Sequence, residues 1–233
     1  MNNPVNANSR FCYFIAISTA VVTLITLFIA VFTPPLSGPF CEGSCFSYPY
    51  SDIASRFPRD YYWMFPSMLL SLLFLVLMVC VHHFADAGKK LFSQIGVSIA
   101  IISVMIIIVD YFVQVSVVQP SIINGETEGI ALISQYNPHG VFIALEEIGY
   151  FLMCISLLSV VPVFSGKSGL KKAIRITLIM GFALAVVSFI MITLKYGLMR
   201  EYIYEVTILS IVWLELIIAS ILMSRVFINR KKD

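Results

Sequence analysis

The sequence predicts an all-α fold: a polytopic membrane bundle of about six transmembrane helices with both termini cytoplasmic. Three observations predict it. Apolar residues come in runs of roughly 20 or more, long enough to cross about 30 Å of hydrocarbon as helix. Charged residues make up only 12% of the chain against 59% hydrophobic ones, and mean hydropathy is +0.93; soluble domains carry about a quarter charged residues. Lys and Arg gather in alternate connections between the runs, as orientation in a membrane requires.

The runs fall at residues 11–33, 63–84, 93–118, 139–164, 173–196 and 205–228. Pro34 and Pro35 stop the first, because proline cannot continue a helix, and Tyr61, Tyr62 and Trp63 form an aromatic anchor where the second begins. Asn137-Pro138 reads as a cap followed by proline at the first helical position of the fourth. Gly166, Lys167 and Gly169 mark the exit from that helix. The first run exceeds the core of a secretory signal, and no small-residue cleavage site precedes Pro34, so it is read as a span. The longest connection, residues 34–62, is too short to bury a core of its own. One membrane domain therefore covers residues 1–233, and no internal repeat is visible.

Orientation follows from counting cations. Eleven (Arg10, Lys89, Lys90, Lys167, Lys171, Lys172, Arg175, Arg225, Arg230, Lys231, Lys232) lie on one side, and Arg56, Arg59, Lys195 and Arg200 on the other. The richer side is expected to be cytoplasmic, in the cell membrane. The same scattering, with a net charge of +2, gives no basic surface for nucleic acid, and the lipid bilayer is the expected partner. The sequence does not indicate an oligomeric state.

On that topology Cys41 and Cys45 face an oxidising compartment and could close a small disulfide ring, worth only about 2 kcal/mol by loop entropy. Cys12, Cys80 and Cys154 sit in or near apolar helices and read as packing residues. The stretch 51–57 could form a short interfacial helix capped by Ser51.

Ionisable residues inside the spans carry most of the functional information. Asp110, Glu146, Glu147 and Glu215 all fall in the outer half of the membrane, at depths of roughly 10–15 Å by helix rise. Asp110 and Gln114 share a helix face, and His139, Glu146 and Tyr150 follow close to one stripe. Glu147 projects about 100° away from Glu146, so the pair straddles two neighbours. Four acids facing lipid would cost about 10 kcal/mol, so they are expected to be protonated, paired or exposed to a water-filled cavity. The nearest candidate cations are Lys195 and His139.

The expectation is therefore an outward-facing polar cavity binding protons, a cation or a cationic small molecule, with Asp110, Gln114, Glu146, Glu147, Tyr150 and Glu215 lining it. Lys195 and His139 would sit at its mouth. Two other classes compete. One is an enzyme using a carboxyl acid and base on a lipid or isoprenoid. The other is a noncatalytic subunit whose acids lock helices together.

Other patterns carry less. His82 and Asp86 lack a third metal ligand nearby, so no metal site is assigned. Ser165-Gly-Lys-Ser168 has Val161 where a phosphate loop needs its first glycine. Gly181, Ala185, Thr19, Thr23 and Thr26 suit close helix packing. The Glu146-Glu147 pair resembles the glutamate motif of intramembrane CAAX-type proteases in those residues alone. That family's companion arginine and later histidine motifs are missing here, so catalytic residues and cofactors stay unassigned.

Overall fold

Long apolar segments with few polar breaks fold as helices because each backbone group in lipid must be paired within its own segment. The computed structural model describes residues 7–229 and has six helices long and apolar enough to cross a membrane, with no strand among those residues. They are α1 (Ala7–Val31), α2 (Met64–Phe84), α3 (Lys90–Val113), α4 (Val141–Ser159), α5 (Gly169–Tyr196) and α6 (Glu201–Asn229). Arg230, Lys231 and Lys232, which entered the orientation count, lie outside the described residues. Each expected run matches one helix, and the differences lie at the ends.

The helices alternate in direction, so one end of the bundle, here the loop end, gathers the long 34–62 connection and the 124–140 connection. Neighbours pack in the order α1–α2–α3–α4–α5–α6, α6 closes on α1, and α4 and α6 meet in the interior. α5 is the most peripheral helix, with 17% of its apolar window buried against 56% for α4.

Small residues let these helices approach. α1 buries Ala16, Thr19, Ala20, Thr23 and Thr26, spaced three and four apart on one face. The threonine hydroxyls donate to carbonyls one turn back, Thr19 to Ile15 at 2.8 Å, Thr23 to Thr19 at 2.6 Å and Thr26 to Val22 at 2.8 Å, so no polar atom is stranded in the seam. Between α3 and α4, Ser103 donates to the Gly149 carbonyl and Ser156 to the Gly96 carbonyl, both at 2.7 Å. A side chain at Gly149 would begin 2.7 Å from Ile107, which explains why glycine stands there.

Four local expectations need correction. α3 does not stop near Val118: a π turn, Gln114–Val118, carries it into Gln119–Ile123, with Pro120 in the first turn of that last piece. Gln114 fixes the turn by donating to the Ile133 carbonyl at 2.6 Å and accepting from the Gln135 amide at 2.9 Å. Asn137-Pro138 does not cap α4, whose cap is Gly140. Asn137 instead accepts from the His139 amide and donates to the Ala131 carbonyl, tying up the loop. Ser51 caps nothing: the short helix there is a 3-10 turn, Ile53–Arg56, preceded by Asp52. Lastly, α6 starts at Glu201, a full turn before the expected residue 205.

Cys41 and Cys45 lie at disulfide distance, 2.08 Å between sulfurs. Cys12, Cys80 and Cys154 are buried. His82 Nδ1 shares a 2.9 Å hydrogen bond with Ser93 Oγ across the α2–α3 turn, and Asp86 takes no part in it.

Candidate functional site

The loop end holds a cavity of about 300 Å³ between the end of α1, the start of α2, α4 and α6. That size is at the lower limit for small-ligand pockets. Its walls are mainly apolar and aromatic, including Trp63, Phe142, Tyr202 and Trp213, and three carboxyls reach it: Asp60, Glu146 and Glu205. Trp63 and Trp213, the chain's only tryptophans, stand edge to face with centroids 6.4 Å apart.

The three acids differ in what holds them. Asp60 precedes α2; it accepts from Arg59 Nε at 2.7 Å and from the Tyr136 hydroxyl at 3.2 Å. Burial, helped by Tyr61 and Asp60 nearby, pushes the Tyr136 phenol upward, so it stays a donor. Asp60 is thus paired and hydrogen-bonded.

Glu146 lies about 8 Å along α4 from its start. It is fully buried, and Tyr111 of α3 donates to its Oε1 at 2.5 Å. Tyr111 in turn shares a 2.9 Å bond with Tyr150, a turn beyond Glu146 on α4. The other oxygen, Oε2, receives no well-formed hydrogen bond. Beside it stands the carboxyl of Glu205, one turn into α6. Asp110 of α3 is an electrostatic neighbour of both but lies behind the wall, and its Oδ2 is likewise without a partner. Among the described residues no Lys, Arg or His forms an ion pair with Asp110, Glu146 or Glu205. Three acids are therefore gathered in low dielectric with no ion-paired cation among the described residues.

The structure divides the residues expected to act together. Asp110 and Glu146 converge, with Tyr150 attached through Tyr111. Glu147 turns the other way, to a second cavity of about 340 Å³ lined from α4, α5 and α6. There Arg200 Nη1 grips both its oxygens, at 2.8 and 3.0 Å, while stacking over Phe189 at 4.7 Å. Glu215 sits deeper, against Gly181 and 3.9 Å from Cys154 Sγ, and does not line the first cavity. Gln114 holds the π turn to the loop. His139 pairs with Glu201 at 3.0 Å, and the Lys195 ammonium lies 4.9 Å from the Tyr196 ring centre; neither lines this cavity.

Sequence reasoning missed Glu205, Asp60 and the Glu147–Arg200 pair. In the sequence Glu205 stands at the start of the sixth run, 205–228, where a charge reads as the membrane boundary. Its signal was the Tyr202, Glu205, Leu209 spacing of three and four, which puts it on the face that also carries Trp213. Among the described residues no group of three or more His, Cys, Asp or Glu could hold a metal ion.

Six helices long and apolar enough to cross a membrane define a multi-pass membrane bundle, and four of them border this cavity. Compared with protein-family models, with curated proteins and with solved structures, the chain matches none.

Proposed function

We propose that the protein binds an organic cation in the loop-end cavity, through Glu146 and Glu205, and that the cavity serves transport of that cation across the cell membrane. The observation that carries this reading is the Glu146–Glu205 pair, two buried carboxyls facing one cavity with no ion-paired cation among the described residues. Two carboxyls brought together in low dielectric are stabilised by a shared proton or by a positive guest, and an organic cation can take the proton's place. Aromatic walls supply a second attraction, since ring faces favour quaternary ammonium groups. Under the positive-inside rule the loop end faces outward, both termini lie in the cytoplasm, and Cys41 and Cys45 form a disulfide in an oxidising compartment.

Uptake of radiolabelled tetramethylammonium into vesicles reconstituted with the protein tests transport. Saturable uptake should fall at least tenfold in Glu146→Gln and in Glu205→Gln, while Glu147→Gln, in the other cavity, keeps it. Equal uptake in protein-free vesicles would end the transport reading.

An enzyme reading has one observation in its favour: the Tyr111–Glu146 hydrogen bond beside a second carboxyl resembles an acid and base pair aimed at one cavity. Conversion of an added isoprenoid or phospholipid by the purified protein, followed by mass spectrometry, separates it from transport.

A further inference from the structure

The Glu146–Glu205 cavity borders the side of the bundle that a bilayer covers. Leu27, Ala30 and Val31 of α1 form one edge and Val206 and Ser210 of α6 the other. Val31, Val206 and Ser210 line the cavity and are exposed on the flank of the bundle, while Pro34, Pro35 and Phe40 are exposed at its loop end. Val206 and Ser210 are four residues apart, so they stack on one face of α6, and the Ser210 hydroxyl is spent on the Val206 carbonyl at 2.7 Å. What this edge offers is apolar. The far wall holds the fully buried Glu146, whose Oε2 stands beside the Glu205 carboxyl and receives no well-formed hydrogen bond.

A passage that is greasy at its lipid edge and negative at its inner end suits one kind of guest. A hydrophilic cation gains nothing from the apolar edge. An anionic lipid would set its headgroup against the Glu146 and Glu205 carboxyls. Resting on the cation-binding reading above, we infer that the ligand is a single-chain cationic amphiphile that enters from the bilayer between α1 and α6. Its ammonium reaches Glu146 and Glu205 against Trp63 and Trp213, and its alkyl chain trails past Val206 and Ser210 into lipid. The cavity's small volume fits this, since only a headgroup and the first carbons need to be enclosed.

The two tryptophans make the test direct, because both line the cavity and the chain has no others. In phosphatidylcholine vesicles, (11-bromoundecyl)trimethylammonium should quench their emission saturably, and 11-bromoundecyl sulfate should not. Tetramethylammonium should displace the bromoalkyl cation only at concentrations at least tenfold higher. Val206→Phe/Ser210→Phe fills the lipid edge and should weaken the bromoalkyl cation at least tenfold while shifting tetramethylammonium less than twofold. Leu214→Phe/Ile218→Phe, on exposed positions further along α6, should leave both unchanged. Ala30→Phe narrows the same gap from α1 and replaces the first pair if that variant does not fold. Full affinity for the bromoalkyl cation in the folded edge variants overturns lateral entry. Glu146→Gln and Glu205→Gln should weaken both cations; if they weaken neither, the cation-binding reading itself fails.

Discussion

Gly181 on α5 faces Glu215 on α6 so closely that a Cβ on the glycine would lie 2.0 Å from the carboxyl Oε2. The carboxyl fills the space a side chain would take, which is how a peripheral helix packs against a buried acid. Gly181→Ala should therefore destabilise the protein by about 1–3 kcal/mol through overpacking. Gly181→Ala/Glu215→Ala should recover part of that loss, with a coupling of about 1 kcal/mol or more in reversible unfolding in detergent. Strict additivity would mean that the two do not share that space.

Glu147 and Arg200 join α4 to the start of α6, with side-chain exposures of 11% and 22%. Removing one partner of a buried pair costs about 3–5 kcal/mol, and this partial exposure lowers the expectation for Arg200→Ala to about 1–3 kcal/mol. Adding Glu147→Gln to Arg200→Ala should restore stability, because the stranded carboxylate is what costs. Arg200→Lys should recover little, since it loses the two-oxygen grip and the stacking on Phe189. Melting curves of the four proteins decide the order.

Gly149 on α4 leaves no room for a side chain beside Ile107, whereas Gly88 has nothing within 4 Å of its would-be Cβ. Gly149→Ala should cost about 1–3 kcal/mol by forcing α3 and α4 apart. Gly88→Ala should stay within about 0.5 kcal/mol, as for most open positions. Equal melting temperatures for the two variants would contradict the packing described for α3 and α4.

Tyr111 is a positioning residue for Glu146. Tyr111→Phe removes the donor to Oε1 and leaves the Tyr150 hydroxyl without that partner, which should cost about 1–3 kcal/mol. A purely structural role would stop there. Rotational freedom for the Glu146 carboxyl should also weaken cation binding several-fold, and Tyr150→Phe, which leaves the Tyr111–Glu146 bond in place, should weaken it less.

The six spans were legible because membrane helices announce themselves by length and hydropathy, a signal that needs no knowledge of neighbours. Their ends were less so. A π turn at Gln114–Val118 depends on a loop that supplies the Ile133 carbonyl and the Gln135 amide, 19 and 21 residues beyond Gln114. The acids illustrate the same limit. Depth along a helix is set by sequence, and it groups Asp110 with Glu146, its electrostatic neighbour in the structure; which way a side chain faces across the bundle is set by helix rotation and packing. That is why Glu147 and Glu215, at similar depths, lie apart from the cavity. Glu205 was overlooked for a related reason: a charge near a helix end reads as the edge of the membrane until a partner such as Glu146 is seen across from it.

The most direct test is equilibrium binding of benzyltrimethylammonium to the protein in lipid nanodiscs, by titration calorimetry at neutral pH. Wild type should show one saturable site per chain, weakened at least tenfold by Glu205→Gln and by Glu146→Gln, and unaltered by Glu215→Gln. Absence of a saturable site in the folded wild type, or equal affinity in all four proteins, would contradict the account.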